Sequence, residues 1–341
     1  MKLQWTTRTL ELARPFRISR SVMSARDAVT VTVTGSAPHL VGSGEVVSSV
    51  YAELDAGRIE AQLCRVRERC GDEASLTRVL AAVHPAVAAA VWSAVAELRA
   101  LTEERSVAAH LGLPLPAEVP ISRTLGIGTP RAMAAEAAEV AGRGVRLLKV
   151  KTDADGAESV RRLAAVAGAA PYNDMIVDPN ESWTLATALQ VLEDTQDLPV
   201  VGLEQPLPTS ERHGLRELRS RTGIPVIADE AIHTRADLDE LVGLADAVNI
   251  KLAKCGGVYH AREIADAARE RGMDVMLGCL VCSSLGIAPA VHLASLARWC
   301  DLDGHLLLAW DPWTGLGGAD GTLRPHDGAG LGVQLRTGND R

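Results

Sequence analysis

The sequence predicts an α/β protein in which a small α+β unit precedes a closed (β/α)8-type barrel. Three observations carry this reading. From about residue 119 eight short apolar runs, each ending at a polar residue, recur at intervals of roughly 25 residues. Stretches of helix-forming composition, such as Ala132–Ala141 and Ala261–Glu270, separate them. Before that point the order is strands first and helices after, the pattern of an α+β unit. Repeated βα units with short apolar strands build a parallel sheet, and eight of them close it.

In chain order, Asp27–Thr34 alternates and is β-branched, Gly35-Ser36 reads as a turn and Leu40–Val47 as the antiparallel partner strand. Helices follow over about Asp55–Cys70, Ser75–Val83 and Ala86–Glu104, and Leu111–Pro120 reads as a linker. The eight runs are Val119–Thr124, Val145–Lys151, Met175–Asp178, Val200–Glu204, Pro225–Asp229, Ala247–Lys251, Val275–Gly278 and Leu296–Asp301. An open doubly wound sheet would carry a Gly-rich phosphate loop after its first strand, and Leu125-Gly126-Ile127-Gly128 matches that poorly. The division expected is 1–115, 116–304 and a tail, 305–341, that packs back on the N-terminal unit.

Composition narrows the function classes. Of the 341 residues 47% are hydrophobic, enough for a sizeable core. Thirty-five Lys+Arg against 43 Asp+Glu leave a net charge of −8, which speaks against a nucleic-acid partner. No apolar run reaches the ~18 residues of a membrane span. Met1–Arg20 lacks the apolar core of a signal peptide, and six cysteines in this length make no disulfide scaffold. The expectation is a cytoplasmic protein with reduced thiols. Cys279-x-x-Cys282 has no second pair and is read as inert.

The functional face of such a barrel lies at the C-terminal ends of its strands. The run ends there are Thr124, Lys149 with Lys151, Asp178, Glu204, Asp229, Lys251, and Asp301 with Asp303. Each alone could be a helix cap or a solvated lysine; as a set they alternate carboxylates with flanking lysines. Asp178, Glu204 and Asp229 come from adjacent strands ~4.8 Å apart. Three carboxylates so close repel unless a cation sits between them. Oxygen-only ligands suit a hard ion, Mg²⁺ above Ca²⁺ or Zn²⁺, and Asn180 could support the site. Lys149 and Lys151, two apart, share the inner face of their strand, where mutual repulsion should depress one pKa. Lys251 approaches from the opposite side. A base on each side of a metal-bound carboxylate is what a 1,1-proton transfer needs, with Lys149 helping to stabilise the enediolate. Lys254 is read as a helix-start or loop residue, and Gly256-Gly257 as a tight turn into a helix.

Lys149-Val150-Lys151, the acids in VDPN, LEQP and IADE, and Lys251 in NIKLAKCGG together resemble the enolase superfamily, in its muconate lactonizing enzyme subgroup. The resemblance spans nearly the whole chain. It implies a capping domain over a modified (β/α)7β TIM barrel, essential Mg²⁺ and abstraction of a proton α to a carboxylate. Asp301-Leu302-Asp303-Gly304 and MLGCLVCSS resemble the dipeptide epimerases, particularly those acting on L-Ala-D/L-Glu. In that family the two acids bind the dipeptide's ammonium group. Arg20 in PFRISRS is similar in placement to an arginine that in some relatives binds the glutamate side chain; Arg17 and Arg26 compete for the role. Thr124 is taken as a further substrate-side residue. The resemblance implies an isomerase, with a dipeptide substrate, peptidoglycan-peptide or other peptide metabolism and a homo-oligomer. Related activities (N-acylamino acid racemase, o-succinylbenzoate synthase, muconate cycloisomerase) act on substrates without a free ammonium and have no use for the paired aspartates. A non-catalytic, metal-dependent carboxylate-binding barrel would need no pair of lysine bases.

Overall fold

The computed structural model describes residues 1–35, 37–70 and 73–337. Ser36, half of the expected turn, lies outside the described residues. The N-terminal sheet has the order β1 (Lys2–Ile18), β2 (Ser21–Thr34), β3 (Val41–Val47), all antiparallel. Two strands were expected, and β1 is a correction. Its buried Leu3, Leu10 and Leu12 fall on odd and then even positions, so the alternation slips phase and the sequence signal is blurred. Helices α1 (Ala56–Arg69), α2 (Glu73–Leu80), α3 (Pro85–Thr102) and α4 (Val107–His110) follow. Asp55 caps α1 by accepting the Arg58 N–H at 2.7 Å, and Ile59, Leu63 and Val66 bury its apolar stripe. Helix α3 is buried almost all round because it lies directly on β3. Gly42 and Gly44 permit that approach: a Cβ there would stand 1.9 and 2.1 Å from the carbonyl oxygens of Ala94 and Ala90.

After β4 (Val119–Pro120), eight parallel strands alternate with helices: β5 (Ser122–Leu125), α5 (Pro130–Gly142), β6 (Leu147–Lys151), α6 (Gly156–Ala169), β7 (Asp174–Asp178), α7 (Leu185–Asp194), β8 (Val200–Glu204), α8 (Arg212–Arg221), β9 (Val226–Ala228), α9 (Asp237–Leu241), β10 (Ala247–Lys251), α10 (Leu252–Cys255), α11 (Val258–Glu270), β11 (Asp274–Gly278), α12 (Ser284–Val291) and β12 (Trp299–Asp301). Hydrogen bonds link β5 to β12 in consecutive order. Seven strand–helix units and a final strand make the (β/α)7β arrangement. Two expected runs lose their first residues to other elements. Val119-Pro120 leaves the barrel to pair with β14 (Thr322–Leu323), and Ala294–Leu296 forms a 3-10 turn. The first and last strands meet through side chains. Ser122 Oγ donates to Asp301 Oδ1 at 2.8 Å, and the Thr124 N–H donates to Asp303 Oδ2 at 2.7 Å. Ile176, Ile227, Ala247, Met276 and Trp299 form an apolar cluster, to which β7, β9, β10, β11 and β12 each contribute. Gly256 and Gly257, at φ 90° and 120°, make the turn into α11 that the pair predicted.

The tail adds β13 (Trp313–Thr314), which pairs with β15 (Gln334–Leu335). It bonds to elements of the N-terminal unit, β1 and α3. Ala309 N–H donates to Glu11 O, and Leu331 N–H donates to Glu97 on α3. His292, at the end of α12, pins two segments: Nδ1 accepts from Ala108 N–H at 3.1 Å, so Nε2 carries the proton toward Leu331 O at 3.2 Å. Burial lowers its pKa to about 4. A protonated ring could not accept from Ala108. The neutral ring therefore contributes stability above about pH 6.5, and that contribution is lost as pH falls toward 4. In urea melts at pH 7 and pH 5, His292→Gln should lose less stability on acidification than the parent chain; equal losses would exclude this role.

Candidate active site

The strand ends converge as the spacing predicted. Lys149 and Lys151 lie on β6, Asp178 ends β7, Glu204 ends β8, Asp229 follows β9, Lys251 ends β10, and Asp301 ends β12 with Asp303 two residues on. Parallel pairing sets Thr124 beside Lys149 and Lys151 beside Asp178. Asp178 and Glu204 are fully buried, and Lys149 is 1% exposed. The mouth above them is a cavity of about 420 Å³ that includes Lys149, Lys151, Asp229, Lys251, Asp301 and Asp303 in its wall. That size suits a small organic ligand.

Ammonium groups stand among the acids. Lys149 Nζ lies 3.1 Å from Asp178, 2.7 Å from Glu204 and 2.8 Å from Asp301. Lys151 Nζ donates to Asp178 at 2.5 Å and to Asn180 Oδ1 at 3.1 Å, and Lys251 Nζ donates to Asp229 at 2.5 Å. The expectation that neighbouring lysines depress a pKa fails at Lys149. Burial does act to lower it, but Asp301, Glu204, Asp178 and Asp229 outweigh burial and push it well up. Lys251 is raised too, its burial outweighed chiefly by Asp229. Burial also works to raise Asp178 and Asp229, and the lysines outweigh it and hold both low. Glu204 is the exception. Burial, reinforced by the charges of Asp178 and Asp229, pushes it up to about 7.

Among the described residues no three carboxylate, imidazole or thiolate groups converge closely enough to hold an ion as they stand. The lysines occupy the space between the acids. The donor set still fits a hard divalent cation: three buried carboxylates from adjacent strands, oxygen only. Glu204 Oε2 lies at ion-pair distance from Lys149 yet receives no directed hydrogen bond. Such an oxygen, on a buried carboxyl whose pKa is raised, marks a point beneath the cavity where added positive charge would be stabilising.

Thr124 holds the two late aspartates. Its N–H and hydroxyl reach Asp303, and the same hydroxyl lies 3.2 Å from Asp301 Oδ1. Asp301 is ion-paired with Lys149, and Asp303 lies 3.4 Å from Arg123 Nε. The three arginines separate. Arg17 is exposed and away from the cavity. Arg20 borders the cavity, but its guanidinium donates to Asn180 O, Glu181 and Glu230. Arg26 is 8% exposed, also lines the cavity, and makes only a long bond, 3.5 Å, to Val281 O, with no carboxylate partner among the described residues.

Several participants escaped the sequence reading. Lys254, read as a helix-start or loop residue with no part in the site, sits in the short helix α10 and grips Asp229 through both carboxylate and backbone oxygen. Asn249 donates to Glu204 Oε1 at 2.8 Å; its position two residues before Lys251 on one strand face was the available signal. Gln205 accepts the Asp229 N–H at 3.0 Å. Gly278 leaves room for this group, since a Cβ there would meet Asn249 at 2.4 Å and Lys251 Cε at 2.8 Å. His84 caps α3 by accepting the Ala86 N–H at 3.1 Å and borders the cavity. Cys279 and Cys282 are free thiols that burial pushes well up, as an inert role requires.

The enolase C-terminal domain-like family matches residues 132–339. An N-acetyl-D-glutamate racemase from Pseudoalteromonas sp is 42% identical over 231 residues, 68% of this chain and 67% of that protein. The L-Ala-D/L-Glu epimerase of Escherichia coli strain K12 is 38% identical over 307 residues, 88% of this chain and 92% of that one. A dipeptide epimerase from Enterococcus faecalis V583, solved with Mg and the dipeptide L-Leu-L-Tyr, has a TM-score of 0.90 at 27% identity, covering 97% of this chain and 98% of that one. Strand-end acids and lysines, the (β/α)7β barrel and these similarities agree: the chain belongs to the enolase C-terminal domain-like family of the enolase superfamily.

Proposed function

We propose that this protein is an isomerase, a Mg²⁺-dependent dipeptide epimerase acting on the α-carbon of the C-terminal residue, with L-Ala-D/L-Glu as its substrate pair. The observation that carries the reading is that Lys151 on β6 and Lys251 on β10 enter one cavity from different sides, with the acids of β7 to β9 between them. Two amines on opposite faces of one carbon are what inversion by proton transfer requires. The related proteins named above, which act on dipeptides or on an N-acylated glutamate, support it.

Asp178, Glu204 and Asp229 would hold the metal, and bound there it would supply positive charge against the negative charge that develops on the substrate's carboxylate. The lysine that acts as base first gives its ammonium proton to solvent and leaves its bond to Asp178 or Asp229; as a free amine it accepts the α-proton, and the lysine opposite, still an ammonium, donates a proton to the other face. Lys149, fully charged between Glu204 and Asp301, adds electrostatic stabilisation. Asp301 and Asp303, positioned by Thr124, offer the negative end of the cavity to the dipeptide's ammonium group. Arg26, a buried guanidinium with no counter-charge among the described residues, suits the glutamate side-chain carboxylate. Residues 1–115 then form the cap, 116–304 the barrel and 305–341 the returning tail. Six cysteines, none of them in a disulfide, fit a reducing cytoplasm, and the exposed Trp310 and Leu335 offer apolar surface to a second copy.

A second reading is racemisation of an N-acylated glutamate. The 42%-identical racemase supports it, as does the fact that Lys149 and Arg123 already neutralise Asp301 and Asp303. In D₂O, L-Ala-L-Glu should acquire an α-deuteron and N-acetylglutamate should not; the reverse pattern selects the second reading, and no exchange in either removes both. Lys251→Ala should slow exchange by about 10²–10⁴-fold. Chelation should abolish exchange and Mg²⁺ restore it. Arg26→Met should raise KM about 10–100-fold for L-Ala-L-Glu and leave L-Ala-L-Leu unaffected; equal effects on the two would remove Arg26 from substrate recognition.

A further inference from the structure

Arg20 sits at the tip of the hairpin between β1 and β2, where the cap meets the barrel mouth. Its guanidinium bridges two barrel loops. It donates to Asn180 O at 2.8 Å and to Glu181 in the loop after β7, and reaches Glu230 after β9 at 3.4 Å. Glu181 is itself anchored, since its other oxygen accepts the Thr209 N–H at 2.9 Å in the loop after β8. The hairpin is tied down on further sides: Arg17 O accepts from Ile127 N–H after β5, and Tyr51 OH donates to Ser21 Oγ at 2.6 Å.

The segment that Arg20 grips is strained. Asn180 and Glu181 have φ of 48° and 64°, the left-handed region that non-glycine residues rarely enter. Such backbone persists only where its surroundings over-determine it, and the Arg20 bond to Asn180 O is one such determinant. Asn180 in turn accepts from Lys151 through Oδ1. A continuous path of bonds therefore runs from the hairpin tip to a lysine of the site. Two carboxylates already neutralise Arg20, and its side chain is 36% exposed, so it has little to offer a substrate anion.

We infer that Arg20 is a positioning residue, a clasp that holds the hairpin down over the cavity and fixes Asn180 against Lys151, and that it does not bind the substrate's side chain. The inference rests on the proposed function only for the choice of substrates. Arg20→Gln and Glu181→Gln each remove one side of the clasp. Each should lower kcat roughly tenfold by the same factor for L-Ala-L-Glu and L-Ala-L-Leu, and the double variant should be no worse than either single one. Arg20→Lys should recover part of the loss. Without substrate, both Gln variants should be cut faster by chymotrypsin at Phe16 and Tyr51. A KM rise confined to L-Ala-L-Glu, with Glu181→Gln silent, would make Arg20 a ligand and overturn the inference, as would unchanged proteolysis. If no dipeptide is turned over, the proposed function fails, and the proteolysis still decides the clasp.

Discussion

Four ammonium groups and four carboxylates share the buried mouth of one barrel, and the rest of the molecule is arranged around keeping them there. Lys149, Lys151, Lys251 and Lys254 face Asp178, Glu204, Asp229 and Asp301 at ion-pair distances. Buried charges survive only when paired, and removing one partner of such a pair costs about 3–5 kcal/mol. The web is close to balanced, with Glu204 the least well satisfied member. That imbalance is where added positive charge is stabilising, and it falls on the central acid of the trio.

The same residues also close the fold. Asp301 and Asp303 accept from Ser122 and Thr124, so β12 is stitched to β5 by the side chains that border the cavity. A barrel whose seam runs through its functional end gives those aspartates one geometry. Helix α3 lies on β3 over Gly42 and Gly44, and Glu45 on β3 accepts both the N–H and the hydroxyl of Ser283, at 2.8 and 2.6 Å. These contacts seat the cap over the barrel mouth, and the cap then brings Arg20 and Arg26 to the cavity wall.

Much of this was legible in advance, because a βα repeat carries its own ruler. Val200–Glu204 and Ala247–Lys251 appear in the structure with the bounds the apolar runs marked. A charged residue at the end of an apolar run has one place to go in a parallel barrel, which is why the acids and lysines could be named. What was lost depended on phase or on distance. Strand β1 slipped its alternation, and Lys254 lies beyond its strand, so only the short α10 returns it to Asp229. The lysine pKa argument failed for a related reason. Spacing along one strand exposes the neighbouring lysine but hides the four carboxylates around it.

By itself the sequence determined the barrel, the order of its strands and the chemical type of each group at their ends, since periodicity and run length are local properties. Only the tertiary structure decided which charges neutralise one another and which stay unpaired. Three arginines compete in one short stretch of sequence; the fold exposes Arg17, gives Arg20 to two glutamates and leaves Arg26 buried without an acid among the described residues. Partners 160 or more residues away make that distinction, because electrostatic pairing acts across space and no local pattern records it.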